Sequence, residues 1–308
     1  MHNNWYAIAN YEQGAGPRAA LVLDEQLYDA AALGAEANPL LLGSQHVITQ
    51  WEQQRAAVDA LAQRLRAERA AGRARPLTPG SYKLLVPYQP GRIFGAASNY
   101  YEHAAEMGTK LIARSESAPY CFMKAESSVI ATEEDVVKPA ATHKLDWEVE
   151  LGVIIGRSCR HVSVEQAHEV IAGYTVFNDI SARDLNRRSD YPFTHDWFRG
   201  KSFDTFGPMG PWVVPAQCIA EPQKLRMRLV VNDELMQNDT AEGMIFNIAE
   251  QIAYLSSMLT LRPGDLIATG TPTGVGMGQG RFLQPGDVMT ASIEQIGTLR
   301  NRVVAATL

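Results

Sequence analysis

Three acidic residues define the chemistry open to this chain. Glu148 and Glu150 stand two apart in Leu145-Asp146-Trp147-Glu148-Val149-Glu150-Leu151-Gly152, which runs on into Val153-Ile154-Ile155-Gly156. Alternating apolar and acidic residues followed by a β-branched run predict a strand, in which residues two apart project from one face. Like charges side by side on an apolar strand repel and are costly to desolvate, so the pair needs open water or a cation between them. A solvated edge strand satisfies the first condition, and Glu-x-Glu alone does not choose. A second strand pattern, Gly173-Tyr174-Thr175-Val176-Phe177-Asn178-Asp179, ends on an acid 31 positions after Glu148, where two strands can pair and converge. Three carboxylates without supporting Cys or His form a hard, all-oxygen donor set suited to Mg²⁺, Mn²⁺ or Ca²⁺ rather than Zn²⁺.

A second constellation lies upstream. Arg92 to Gly108 reads as a strand leading into a short helix, with Asn99 as its expected cap. Helical spacing puts His103 and Glu106 on one face, where the carboxylate can fix the imidazole tautomer and make the pair a general base for water. The same spacing also describes a surface ion pair.

These segments together resemble the fumarylacetoacetate hydrolase family. Asn178-Asp179-Ile180-Ser181-Ala182-Arg183-Asp184 matches its Asn-Asp-x-Ser-x-Arg-Asp context, and Asn99 to Glu106 its Asn-Tyr-x-x-His-x-x-Glu motif. Pro119 to Lys124 is similar to Pro-x-Phe-Phe-x-Lys with Cys121 in place of an aromatic residue, and Gly200-Lys201-Ser202-Phe203-Asp204 to Gly-Lys-Ser-x-Asp. Thr269-Gly270-Thr271-Pro272-Thr273-Gly274-Val275-Gly276 resembles the family's Thr-Gly-Thr-Pro-x-Gly-Val-Gly turn. It lacks the Gly-Lys-Ser/Thr ending of a nucleotide loop. The match runs in order from about Gly91 to Val304.

The resemblance implies a site as well as a reaction. Glu148, Glu150 and Asp179 would hold Mg²⁺ or Mn²⁺, with Ca²⁺ a substitute in crystals, and His103 with Glu106 would sit on a lid that continues through Thr109 to Ala118. Lys201 would stabilise oxyanion charge, or else pair with Asp184 or Asp204. Lys124 would hold the acids or serve as a structural lysine. Thr271, Arg183 and Asn186 would bind substrate, Asn186 standing where the family commonly has the longer Gln. His161 and His168 read as surface residues and His195 as a loop residue. The implied reaction is metal-dependent hydrolysis of a carbon–carbon bond in a β-diketo acid, such as an acylpyruvate or fumarylpyruvate-like intermediate of aromatic catabolism. Decarboxylation or isomerisation of a 2-oxo diacid on the same site is the alternative, and a homodimer is the implied assembly.

The elements that must position these residues follow from composition and pattern. The 308 residues are 46% hydrophobic and 20% charged, enough for a large core with a cleft. A formal net charge of −6 without a basic block argues against nucleic acid or an anionic membrane as partner. Cys121, Cys159 and Cys218 are scattered and odd in number, which fits reduced thiols, and no leader or membrane-spanning run is evident, so a cytoplasmic enzyme is expected. Residues 1–88 read as a small α+β accessory domain: strands at Trp5 to Tyr11 and Ala19 to Leu23, a turn at Asp24-Glu25-Gln26 into Leu27 to Ala30, a helix from Val47 to Ala71, and a strand from Tyr82 to Val86. The resemblance implies that residues 89–308 form the catalytic domain. Within it, Ser163 to Ala172 reads as a Ser-capped helix, Leu225 to Asp239 as a hairpin about Asn232-Asp233, Ile245 to Leu259 as an amphipathic helix, and Val288 to Val304 as antiparallel strands. The fold expected is α+β but β-dominated, a rolled mixed sheet with a small N-terminal domain.

Overall fold

A computed structural model describes residues 4–14, 16–34 and 36–307. The chain opens with strands β1 (Ala7–Glu12), β2 (Pro17–Leu23) and β3 (Gln26–Asp29), helices α1 (Ser44–Thr49) and α2 (Trp51–Ala70), and strands β4 (Lys83–Leu85) and β5 (Ile93–Ala97). Helix α3 (Tyr101–Glu106) is followed by β6 (Tyr120–Lys124), β7 (Val129–Ile130), β8 (Val136–Lys138), β9 (Leu145–Asp146), β10 (Val149–Ile155), β11 (Ile171–Asn178) and β12 (Ser181–Ala182). Then come α4 (Trp197–Lys201), β13 (Gly207–Pro215), β14 (Arg226–Val231), β15 (Glu234–Thr240), α5 (Ile248–Met258), β16 (Leu266–Ala268), α6 (Gly276–Gln279), β17 (Val288–Ile293) and β18 (Gly297–Ala305). Strand dominates helix, as the sequence predicts.

The larger sheet has the order β3-β2-β1-β13-β11-β10-β16-β5-β6, with β4 on β1 and β7 on β13. The smaller sheet, β15-β14-β17-β18-β8, packs its apolar side against the first, β18 over β13 and β14 over β10. Strands β10 and β11 lie at the centre, and every residue of both is buried. That is why they read as β-branched and aromatic runs rather than as alternation. Their antiparallel register sets Val149 opposite Asn178, which brings Glu148 and Asp179 to the same end of the pair. The N-terminal strands continue this sheet, Ile8 on β1 pairing with Val213 on β13, and one apolar cluster runs from Trp5 through Leu151 to Val303.

Turn chemistry accounts for the hairpins. Asp24 and Glu25 between β2 and β3, and Asn232 and Asp233 between β14 and β15, all have positive φ, the requirement of a two-residue turn whose twist matches that of the strands. Helix α5 starts at Ile248, three residues later than the periodicity suggests. Asn247 and Glu250 form a capping box, each side chain accepting the other's backbone N–H, at 2.9 and 2.8 Å.

Three expectations are corrected. The segment from Ser163 is a turn and a 3₁₀ turn at Ala167–Val170, because residues from Ile171 onward are taken into the ladder with β10. Asn99 does not cap α3; its side chain instead donates to the carbonyls of Phe246 and Thr269 at 2.9 and 2.8 Å and accepts the Phe246 N–H at 2.9 Å. The strand carrying the two glutamates is interrupted at Trp147 and Glu148. There the amides of Trp147, Glu148 and Val149 donate to the side chains of Asp146, Asn178 and Gln237 at 2.8, 3.0 and 3.0 Å, so side-chain acceptors replace a neighbouring strand.

Leu151, at the centre of β10, is fully buried. Leu151→Ala should lower unfolding stability by about 2–5 kcal/mol, the usual cost of a cavity in a core that cannot collapse, read from the midpoint of a urea titration.

Candidate active site

Glu148, Glu150 and Asp179 are all buried, and each offers an oxygen within 4.8 Å of the others. Glu150 extends from β10, Glu148 from the interruption before it, and Asp179 from the end of β11, its N–H donating to the Glu148 carbonyl at 2.9 Å. The expected convergence of the acids is therefore present, although only Glu150 lies on a strand.

Cations surround them. Lys201, at the end of α4, donates from Nζ to Glu148 Oε2 at 2.7 Å and to Asp179 Oδ2, and Lys124 donates to Asp179 Oδ1 at 2.8 Å and the Ile180 carbonyl at 3.2 Å. Lys201 thus pairs with neither Asp184 nor Asp204. Asp184 instead accepts from the Thr142 hydroxyl and the His143 amide. Arg183 donates from Nε to Asp146 at 2.8 Å, and its Nη2 lies 2.7 Å from Glu148 Oε1 as an ion pair whose N–H bonds are not aimed along the contact. Burial alone would raise Glu148, but Arg183, Lys201 and His103 outweigh it and hold the carboxyl well below its ordinary range. Among the described residues, Glu150 takes part in none of these ion pairs and its carboxylate accepts only the Gly270 amide, at 2.8 Å. Burial, together with the charges of Asp179 and Glu148, pushes it well above the usual carboxylate range. This unbalanced charge in an all-oxygen setting is what a divalent cation would relieve, so the donor set fits such an ion.

His103 and Glu106 face each other across one turn of α3, with Nδ1 2.8 Å from Glu106 Oε1. The other nitrogen, Nε2, lies 3.9 Å from Glu148 Oε1. Burial would raise Glu106, yet the hydrogen bonds from His103, the Gly274 amide and the Thr273 hydroxyl, the last two at 2.9 Å to Oε2, hold it below its ordinary value. Gly274 has φ of +101°, and a Cβ there would stand 2.1 Å from the Met236 carbonyl, so only glycine lets this amide reach Glu106. The glycine-rich turn is thereby explained as a clamp on the acid behind the histidine.

The cavity above the acids, about 600 Å³, is lined by His103, Glu148, Glu150, Arg183, Asn186, Lys201 and Thr271. The Thr271 hydroxyl is engaged, donating to the Val149 carbonyl and accepting from Gln237 Nε2, both at 2.8 Å. Asn186 is buried with its Oδ1 unpartnered, in a space that exists because residue 200 is glycine: a Cβ there would lie 1.5 Å from that oxygen. His195, read from sequence as a loop residue, lines this cavity and stacks on Trp197 at 6.4 Å. His161 and His168 are exposed, as predicted.

Sequence reading missed two side chains that hold the site. Gln237, fully buried on β15, ties the smaller sheet to the Val149 amide, Thr271 and the Pro272 carbonyl. Asp146 receives Arg183 and the amides of Gly276 and Met277 at 2.6 and 2.9 Å. Its place two residues before Glu148, within the same acidic alternation, was the available signal. Asp146→Asn keeps the shape but leaves Arg183 short of a charge and aims an amide at N–H donors. It should cost about 3–5 kcal/mol of stability, measured by chemical unfolding.

Comparison with known proteins agrees with this geometry. The chain is 42% identical over 232 residues to a 2,4-didehydro-3-deoxy-L-rhamnonate hydrolase from Sphingomonas sp. (strain SKA58), covering 74% of this chain and 79% of that one. Its fold superposes on a fumarylacetoacetate hydrolase from Exiguobacterium antarcticum with a TM-score of 0.81 at 31% identity, covering 98% of this chain and all of the other. It also superposes on maleylpyruvate hydrolase from Sphingobium sp. SYK-6, in complex with manganese(II) and pyruvate, at 0.75 and 30%, again over 98% and 100%. Residues 92–304, which carry every acid, base and cation of the site, match the Fumarylacetoacetate (FAA) hydrolase C-terminal domain, and the chain belongs to that family.

Proposed function

We propose that this protein hydrolyses the carbon–carbon bond between the acyl and pyruvate halves of an acylpyruvate-type β-diketo acid. The observation that carries the reading is His103, held at one nitrogen by Glu106 and presenting the other to the cavity beside Glu148. The hydrolase relatives, and the neighbour that holds manganese and pyruvate, support it. Glu148, Glu150 and Asp179 would hold Mg²⁺ or Mn²⁺, which supplies Lewis-acid stabilisation of charge developing at the substrate's oxo-acid end.

The chain's own residues account for the proton and the water. Glu106 accepts the Nδ1 proton of His103, which leaves the Nε2 lone pair to take a proton from water. The hydroxide formed bonds to the distal carbonyl carbon, the bond from that carbon to the pyruvate methylene breaks, and its electron pair leaves on the pyruvate enolate. The proton held at His103 is then available to the enolate carbon, so water and the diketo acid become a carboxylic acid and pyruvate. Lys201 places a fixed positive charge in a buried site, where such charge acts most strongly on an oxyanion. Arg183, Asn186 and Thr271 line the cavity that would receive the oxo acid.

Chelation should abolish acylpyruvate hydrolysis, and added Mg²⁺ or Mn²⁺ should restore it; undiminished turnover by metal-stripped protein would reject the reading. Calorimetry should show that Glu148→Gln weakens metal binding, since the amide keeps the shape and removes the charge. His103→Ala should lower kcat by about 10²-fold to 10⁴-fold with metal affinity unchanged. Glu106→Ala should fall in the same direction and combine with it far less than additively. Wild-type hydrolysis by His103→Ala would eliminate the dyad.

A further inference from the structure

Beside the cavity over the acids lies a second, of about 280 Å³. The two share Ala97, Ser98, His195 and Trp197 as common wall. We infer that this second cavity is the acyl subsite and takes an uncharged, apolar acyl group, so that the substrate is an apolar acylpyruvate rather than a diacid; this rests on the hydrolase reading above.

The lining decides the chemistry. Leu111, Ile112, Tyr120, Trp197, Ile245 and Phe246 supply most of the wall, and no lysine or arginine lines it. Arg114, with Cζ 5.9 Å from the Phe246 ring centroid, is already ion-paired with Glu250. A second carboxylate placed here would give up its water without gaining a lysine or arginine, the imidazole of His195 on the wall being shared with the first cavity. Basic side chains instead line the first cavity, where Lys144 and Arg187 join Arg183 and Lys201 in the wall.

Trp197 joins the two spaces. Its ring stacks on Phe122 at 5.3 Å, and Lys201 Nζ lies 5.9 Å from it on the side of the acids. A substrate whose oxo-acid end lies among the acids reaches the second cavity by crossing this indole. Ile112 and Tyr120 are each 60% exposed, an arrangement of large apolar side chains that an apolar ligand would cover.

The test compares acetyl-, butanoyl- and hexanoylpyruvate with fumarylpyruvate on the Mg²⁺-loaded protein. Each added methylene should raise kcat/KM by about fourfold until the cavity fills, and fumarylpyruvate should be at least about 10²-fold poorer than hexanoylpyruvate. Calorimetry of the same protein with 2-oxooctanoate and 2-oxoadipate should show the apolar acid binding at least about tenfold more tightly. Ile112→Arg, a change at an exposed position, should move the kcat/KM ratio toward fumarylpyruvate by about tenfold or more. Fumarylpyruvate preferred, 2-oxoadipate bound as tightly as 2-oxooctanoate, or a ratio unmoved by Ile112→Arg would each overturn the inference; a far carboxylate held by Lys144 or Arg187 gives that pattern. Absence of hydrolysis with every acylpyruvate would instead remove the hydrolase reading, and the order of 2-oxo acid binding would still decide the subsite.

Discussion

Burying Glu148, Glu150 and Asp179 within 4.8 Å of one another is the costliest arrangement in this chain, and the surrounding structure is built to offset it. Each cation comes from a different element: Lys124 from β6, Lys201 from α4, and Arg183 from the segment after β12. Lys124 pairs with Asp179, Lys201 with Glu148 and Asp179, and Arg183 with Glu148, each from a separate stretch of chain. The acids can be buried only when the whole sheet has assembled, because every compensating charge is delivered by tertiary contact. Glu150, left with an amide alone, is where the compensation stops short, and that shortfall marks the place for an external cation.

The same logic governs the base. A histidine on a six-residue helix would point with little precision if its only partner were Glu106 on the same helix. Glu106 is itself gripped by Thr273 and the Gly274 amide of the glycine-rich turn, so α3 is anchored through the carboxylate it carries. Asn99 fixes the other end of the segment to Phe246 and Thr269. The glycine-rich turn, Asn99 and Gln237 thus act together mechanically, holding three chain segments in register around a charged centre. Rigid support of this kind is what lets a proton acceptor stand at a fixed distance from the acids.

The two cavities divide the labour of recognition. Charge is concentrated over the acids, where Lys144, Arg183, Arg187 and Lys201 join Glu148 and Glu150 in the lining, and the adjoining space is mostly aromatic and aliphatic. Trp197 belongs to both, and its ring stacks with those of Phe122 and His195, so its plane is set by packing. In such a site the ionic half fixes which end of a ligand faces the catalytic groups, and the apolar half selects what the other end can be.

How far this architecture can be read from the residues depends on the range of the forces involved. Local patterns in the chain suffice for the β-dominated class, the central strands and the Asn232-Asp233 hairpin, which follow from periodicity and turn chemistry within short stretches of chain. The acids at 148, 150 and 179 and the pairing of His103 with Glu106 were legible because the motifs around them resemble those of a family. Folding was needed to decide that the strand breaks at Trp147, that Asp146 is a clamp rather than a surface charge, and that Asn99 ties loops together instead of capping a helix. It also chose the partners of Lys201 and assembled the apolar cavity from Leu111, Trp197 and Ile245, which are far apart in the chain. The reason is physical: a side chain's hydrogen-bonding capacity is set by its type, but which donor or acceptor fills it is settled by whatever the folded sheet brings within about 3 Å.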